Sequence, residues 1–410
     1  MNKINFLVFS LFSIFILPTN VASENSTRKA DINNPVNLIY ANIIRAEKPR
    51  IIHLADSFLN LKPVTVTSFT SPRSAGGIHD YYSEATYWWP DPANPTGPYI
   101  RKDGLNNPEN FDFHRQAISQ LSWAVGTLTS AYLLTGKAIY AETAAKHLKA
   151  WFVNSETSMN PNFLYAQAIK GVNTGRGIGI IDGIPFIEVT KSVQVLENTS
   201  YLSKSDNETI HAWFKTFMNW LNTHQYGIDE MNAKNNHGTW WHAQVAAYAQ
   251  FVGDKTILEK CQKHYTEILL PTQMAADGSL PLEIERTKPY SYSLFCLDGF
   301  ATLTWILTDK EFNGWNFTLA DGRGMQKGVD YIKPYVIDKN NWPFKKDISH
   351  WDEQPGRRPF MFFAAIIQQQ PEWITIWEKC SADFPTDESL RNMPVKNPIL
   401  WLGMKKPVKS

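Results

Sequence analysis

The strongest constraint on what this chain can fold into is a helical hydrophobic period that arrives in pairs. From His114, the segment HRQAISQLSWAVGTLTSAYLLTG places Ile118, Leu121, Val125, Leu128 and Leu133 at the spacing of one helix face. A Thr-Gly turn at Thr135 and Gly136 follows, and AIYAETAAKHLKAWFV then reads as a second helix. The arrangement recurs where TWWHAQVAAYAQFVGD precedes KTILEKCQKHYTEILL. Between the two pairs, Ser205 and Glu208 stand at the spacing of a capping box that opens the helix HAWFKTFMNWL. YSLFCLDGFATLTWIL, GMQKGVDYIKPYVI and PFMFFAAIIQQQ carry the helical reading towards the C-terminus. Helices joined by short turns stack as antiparallel hairpins. A ring of such hairpins, an all-α toroid forming an incomplete barrel, fits a chain of 410 residues. The Gly-, Pro- and Asn-rich stretches 71–112 and 159–184 then become long loops over one mouth of the ring, where function tends to sit.

Residues 1–23 read as a cleavable signal peptide: Lys3 supplies the charge, Phe6 to Leu17 the apolar stretch, and Val21-Ala22-Ser23 the small-residue cleavage site. The apolar run is too short for a membrane span. No cysteine stands near it to carry a lipid, so the expected location is periplasmic or secreted. No low-complexity linker divides residues 24–410, which are expected to form one domain. The formal net charge of +1 argues against bulk capture of nucleic acid or of a membrane surface. An acidic ligand would have to meet a local basic cluster. Cys261, Cys296 and Cys380 have no metal-ligand spacing and read as buried thiols, with one bridge left open.

Three segments carry polar groups that a fold does not bury without a reason. Lys234-Asn235-Asn236-His237-Gly238-Thr239-Trp240-Trp241 stands just before a helix, and its amides and imidazole are expensive to bury unless bonded. A capped helix start with a structural His would explain it equally well. Leu280-Pro281-Leu282-Glu283-Ile284-Glu285-Arg286 is followed by Thr287-Lys288-Pro289-Tyr290-Ser291-Tyr292, placing an Arg and two Tyr at another helix entry. Each Tyr alone reads more readily as an amphipathic core residue. Tyr87-Trp88-Trp89-Pro90-Asp91-Pro92 offers aromatic platforms for sugar rings. In a separate loop, Arg176 lies between glycines, suited either to a ligand carboxylate or to bracing the loop.

In combination these segments resemble the alginate lyase superfamily of helical-toroid polysaccharide lyases. The resemblance rests on Asn-Asn-His-x-x-Trp, on Leu-Pro-Leu-Glu with an Arg and Tyr some fifty residues later, and on the Tyr-Trp-Trp-Pro-Asp-Pro loop. It implies Asn236 as neutraliser of a substrate carboxylate, His237 as catalytic His, Arg286 as supporting cation and Tyr292 as catalytic Tyr. Arg176, Tyr87, Trp88, Trp89, Asn235, Trp240, Tyr290 and Lys288 are the expected substrate contacts. The implied partner is an anionic 1,4-linked polyuronate, alginate or glucuronan, cut by β-elimination without a metal or other cofactor. Arg286 and Tyr292 stand one residue closer together than in the best-known members, which leaves the uronate open. A glycoside hydrolase built on Glu283, Glu285 or Asp182, and a non-catalytic glycan-binding protein, are the competing readings.

Overall fold

The computed structural model describes residues 35–383, 386–393 and 395–404, and the expected signal peptide lies outside them. In chain order the first helices are α1 (Pro35–Phe58), α2 (Phe113–Thr135), α3 (Ala138–Phe152), α4 (Phe186–Leu196), α5 (Lys204–Thr223) and α6 (Gln225–Met231). They are followed by α7 (Asn236–Val252), α8 (Lys255–His264), α9 (Leu270–Gln273), α10 (Pro281–Ile284) and α11 (Pro289–Leu307). The last are α12 (Met325–Ile337), α13 (Pro359–Gln368), α14 (Glu372–Lys379) and α15 (Asp387–Arg391).

Five helices form an inner circuit in which α2 packs on α4, α4 on α7, α7 on α11 and α11 on α13. Helix α1 touches both α2 and α13 and links the two ends. Outside them, α3 packs on α2, α5 and α8 on α7, α12 on α11 and α14 on α13. The expected all-α toroid is therefore the fold. The two layers differ as their positions require. Helix α5 buries one stripe (Ile210, Trp213, Phe214, Phe217, Met218 and Leu221) at the spacing of an amphipathic outer helix. Helix α7 is buried almost all round, from Gly238 to Ala249. One continuous apolar core runs from Ile39 to Leu402.

Glycine ends the hairpin helices as the turns suggest. Gly136 after α2 and Gly253 after α7 adopt the left-handed conformation, with φ of 69° and 78°. The capping box of α5 lies two residues before the expected one. Ser203 accepts from Asp206 N while Asp206 accepts from Ser203 N, so Ser205 and Glu208 fall inside the first helical turns. Helix α8 widens into a π turn at Tyr265–Leu269 before α9, where one continuous helix was expected. The three cysteines are free thiols.

The two long loops meet each other. Strand β1 (Tyr82–Glu84) in the first pairs in parallel with β4 (Tyr165–Ala168) in the second, while β2 (Trp88–Trp89) and β3 (Ile100–Arg101) form a small antiparallel ribbon. These strands cover the ring end at which α4, α7, α11 and α13 begin. Ile184, Asn236, Tyr292 and Arg358, at or near those four helix starts, line one cavity. Helix N-termini carry partial positive charge, each worth about 0.3–1 kcal/mol to a nearby anion.

Candidate active site

The cavity has a volume of about 350 Å³ and is walled by both long loops and the inner helix starts. His237 enters from the first turn of α7, whose N-cap is Asn235 accepting from His237 N at 3.3 Å. Its Nδ1 lies 2.5 Å from Oε1 of Glu230, which is 3% exposed and belongs to α6. A buried carboxylate only accepts, so the ring donates through Nδ1, and Nε2 is left as the free lone pair. Asn236 is held beside it: both its backbone N–H and its Nδ2 donate to Glu283, at 2.7 and 2.8 Å. Burial pushes the Glu283 carboxyl up, against the downward pull of those two donors.

Tyr292 projects from the first turn of α11 into the same cavity. Its hydroxyl shares a hydrogen bond of 2.9 Å with Tyr87 Oη, and the Arg286 guanidinium lies 4.1 Å over its ring. Arg286 is fixed by Asp103, which accepts from Nη2 at 3.0 Å and is itself held down to about 2, where Arg286 and Arg101 outweigh its burial. Burial, with Tyr87 beside it, drives the Tyr292 phenol well above its ordinary range, although Arg286 pulls the other way. Tyr292 is therefore placed as a proton donor. Desolvation outweighs the pull of the neighbouring Arg286.

Arg176 is the cation best placed for a ligand. It forms no ion pair among the described residues; Nε and Nη2 donate to the carbonyl and side-chain oxygens of Gln167, both at 3.1 Å. Burial and the like charge of Arg101 lower it to about 10, so it stays charged at neutral pH. Its guanidinium lies 5.9 Å from the Trp88 ring centroid. Gln167 holds a φ of 49°, a costly conformation for a residue with a side chain. Asp182 sustains it, accepting from Gln167 Nε2, Tyr81 Oη and Ser83 Oγ. The flanking glycines are steric necessities: a Cβ on Gly175 would lie 2.0 Å from the Leu164 carbonyl oxygen, and one on Gly177 would lie 2.7 Å from that of Tyr226.

Of the expected substrate contacts, Arg176, Tyr87, Trp88, Asn235 and Lys288 line the cavity together with His237, Asn236, Arg286 and Tyr292. Lys288 is only 2% exposed, and its ammonium is engaged by Glu388. Three expectations are corrected. Trp240 is fully buried one turn deeper in α7, donating to Phe295 O. Tyr290, two positions before Tyr292, faces the opposite side of α11 and donates to Tyr335 O. Trp89 points away from the cavity and donates to Leu105 O. Sequence reasoning missed Glu230, Asp103, Arg101, His350 and Glu388. Only Glu230 had a local signal, standing seven positions before His237.

Of the three carboxylates considered for a hydrolase, only Asp182 lines the cavity. Glu283 is committed to Asn236, Asp182 to three donors, and Glu285 is exposed outside the cavity. An imidazole with a free Nε2 and a phenol on one cavity wall, beside the unpaired Arg176, suit proton removal next to a carboxylate. Fold and site together define a helical polysaccharide lyase. The sequence model of the alginate lyase family matches residues 65–342, and the chain belongs to that family. An alginate lyase from Bacteroides ovatus has a similar structure, with TM-score 0.76 and 29% identity over 88% of this chain and 99% of that one. Alginate lyase A1-III shares the fold. Its His-to-Ala variant, complexed with a tetrasaccharide, aligns at TM-score 0.52 and 12% identity over 91% of this chain and 97% of that one. No curated protein sequence matches.

Proposed function

We propose that this enzyme is a secreted or periplasmic lyase that cleaves a 1,4-linked polyuronate, alginate in the first place, by β-elimination. Residues 24–410 act as one catalytic unit after removal of residues 1–23. The C5 proton of a uronate is barely acidic until its carboxylate is neutralised and the developing enediolate charge is held. Arg176, the free hydrogen of the Asn236 amide and the converging helix starts supply that stabilisation, commonly worth a few kcal/mol per donor. His237 Nε2 then removes the C5 proton, with the resulting imidazolium stabilised by Glu230 through Nδ1. Tyr292 delivers its proton to O4 as the glycosidic bond breaks, and Tyr87 Oη stays beside it to stabilise the phenolate.

This division of labour suits sugars in which C5–H and O4 lie on opposite faces, as in guluronate. Where they share a face, as in mannuronate, Tyr292 can serve both steps once a bound carboxylate and Arg286 have adjusted its proton affinity. The observation that carries the reading is that His237 and Tyr292, on adjacent inner helices, line one cavity with the unpaired Arg176. The test is a panel of poly-mannuronate, poly-guluronate and glucuronan digests. Elimination leaves a C4–C5 double bond conjugated to the carboxylate, so ultraviolet absorbance should rise with the number of new chain ends. New reducing ends without that absorbance would exclude the proposal.

A further inference from the structure

A second cavity of about 650 Å³ lies against the first, and the two share Thr86, His350, Glu388 and Arg391 as lining. It also offers Gln116 and Phe113, an amide and a ring suited to sugar hydroxyls and ring faces. The partition between the cavities is built around one carboxylate. Glu388, on α15, pairs with Lys288 Nζ, with His350 Nε2 at 3.3 Å, and with Asn106 Nδ2 at 2.7 Å. These partners come from three separate parts of the chain: the start of α11, the loop before α13, and the loop after β3. Helix α15 also rests on α2. Two charged donors and an amide converge on a side chain that is 10% exposed, and charged hydrogen bonds of this kind are the strong ones.

The partition stands close to the chemistry. Lys288 Nζ, which Glu388 holds, is 5.7 Å from the Tyr292 ring centroid and 5.6 Å from that of Tyr87. We infer that Glu388 is a specificity-determining residue: by tying Lys288, His350 and Asn106 into a fixed wall beside Tyr292, it stops the polymer from crossing between the cavities, so that chains are cut from one end. This rests on the lyase reading above and deepens it. With the wall this close to Tyr292, each cut releases a product of one small size.

The test is product sizing and viscometry on a long polyuronate. Wild-type enzyme should release one mono- or disaccharide product from the first turnovers, with viscosity falling slowly relative to the absorbance gained. Glu388→Ala should open the passage, so that longer products rise several-fold at equal absorbance and viscosity drops early. A ladder of product sizes from wild type would overturn the inference, even if the variant failed to fold. So would a soluble, active Glu388→Ala enzyme with an unchanged product size. Absence of ultraviolet absorbance from every uronan is a different failure, which removes the lyase reading and this inference with it.

Discussion

Glu230 is the residue whose removal should reveal most about how the imidazole works. Glu230→Gln keeps the side-chain shape while deleting the charge from a contact of 2.5 Å to His237 Nδ1. At 3% exposure, little water is available to replace it. A hydrogen bond to a charged group contributes about 1.5–3 kcal/mol, and this one matters most when His237 becomes an imidazolium in the transition state. At about 1.4 kcal/mol per decade of rate, kcat should fall about 10- to 100-fold. The loss grows if the new amide turns its N–H₂ towards the ring, because the proton must then sit on Nε2 and the base is lost. KM should change little, since the interaction strengthens chiefly in the transition state. Initial rates by ultraviolet absorbance, beside a thermal melt to confirm folding, measure both. A folded variant with wild-type kcat would refute the role given to the Glu230–His237 pair.

Arg176→Gln should raise KM and lower kcat/KM about 10- to 100-fold, the worth of one charge-assisted bond to a carboxylate, with only a small change in melting temperature because no ion pair is lost. Gly175→Ala should produce a similar kinetic defect while leaving Arg176 in place, since its Cβ would stand 2.0 Å from a backbone oxygen and the loop must move; unchanged kinetics would show the loop to be tolerant. His350 should make the wall pH-sensitive. Glu388, with help from Glu353, raises it from 6.5 to about 9. A pKa raised on folding gives stability that is fully present below 6.5 and lost as pH rises through about 9. The wild-type melting temperature should therefore fall across that window more than that of His350→Gln, and parallel curves would contradict the pairing.

The ring of hairpins was legible because the α2–α3 and α7–α8 pairs carry apolar residues in helical runs on either side of Gly136 and Gly253. Helix α1, which links α13 to α2, was not read: it carries charged residues among its apolar ones and an internal Pro49. The meeting of the two long loops through β1 and β4 depends on a pairing across about eighty residues that no local pattern records. At the site, the segments that carry His237 and Tyr292 do meet at one cavity, but neighbours in sequence were taken as neighbours in space. A helix defeats that inference, since positions two apart point away from each other and a residue one turn inwards joins the core. Tyr290 and Trp240 are those two cases. The groups that tune the site, Asp103 on Arg286 and Glu388 on Lys288, act across 183 and 100 positions and become visible only in three dimensions.

The most direct trial of the mechanism removes a single oxygen. Tyr292→Phe leaves the ring, its stacking with Arg286 and the cavity shape in place, but deletes the proton intended for O4 and the bond to Tyr87. Calorimetric titration with a short polyuronate and absorbance assays on the polymer should show binding close to wild type with turnover abolished. Turnover that survives in the folded variant would contradict the account at its centre.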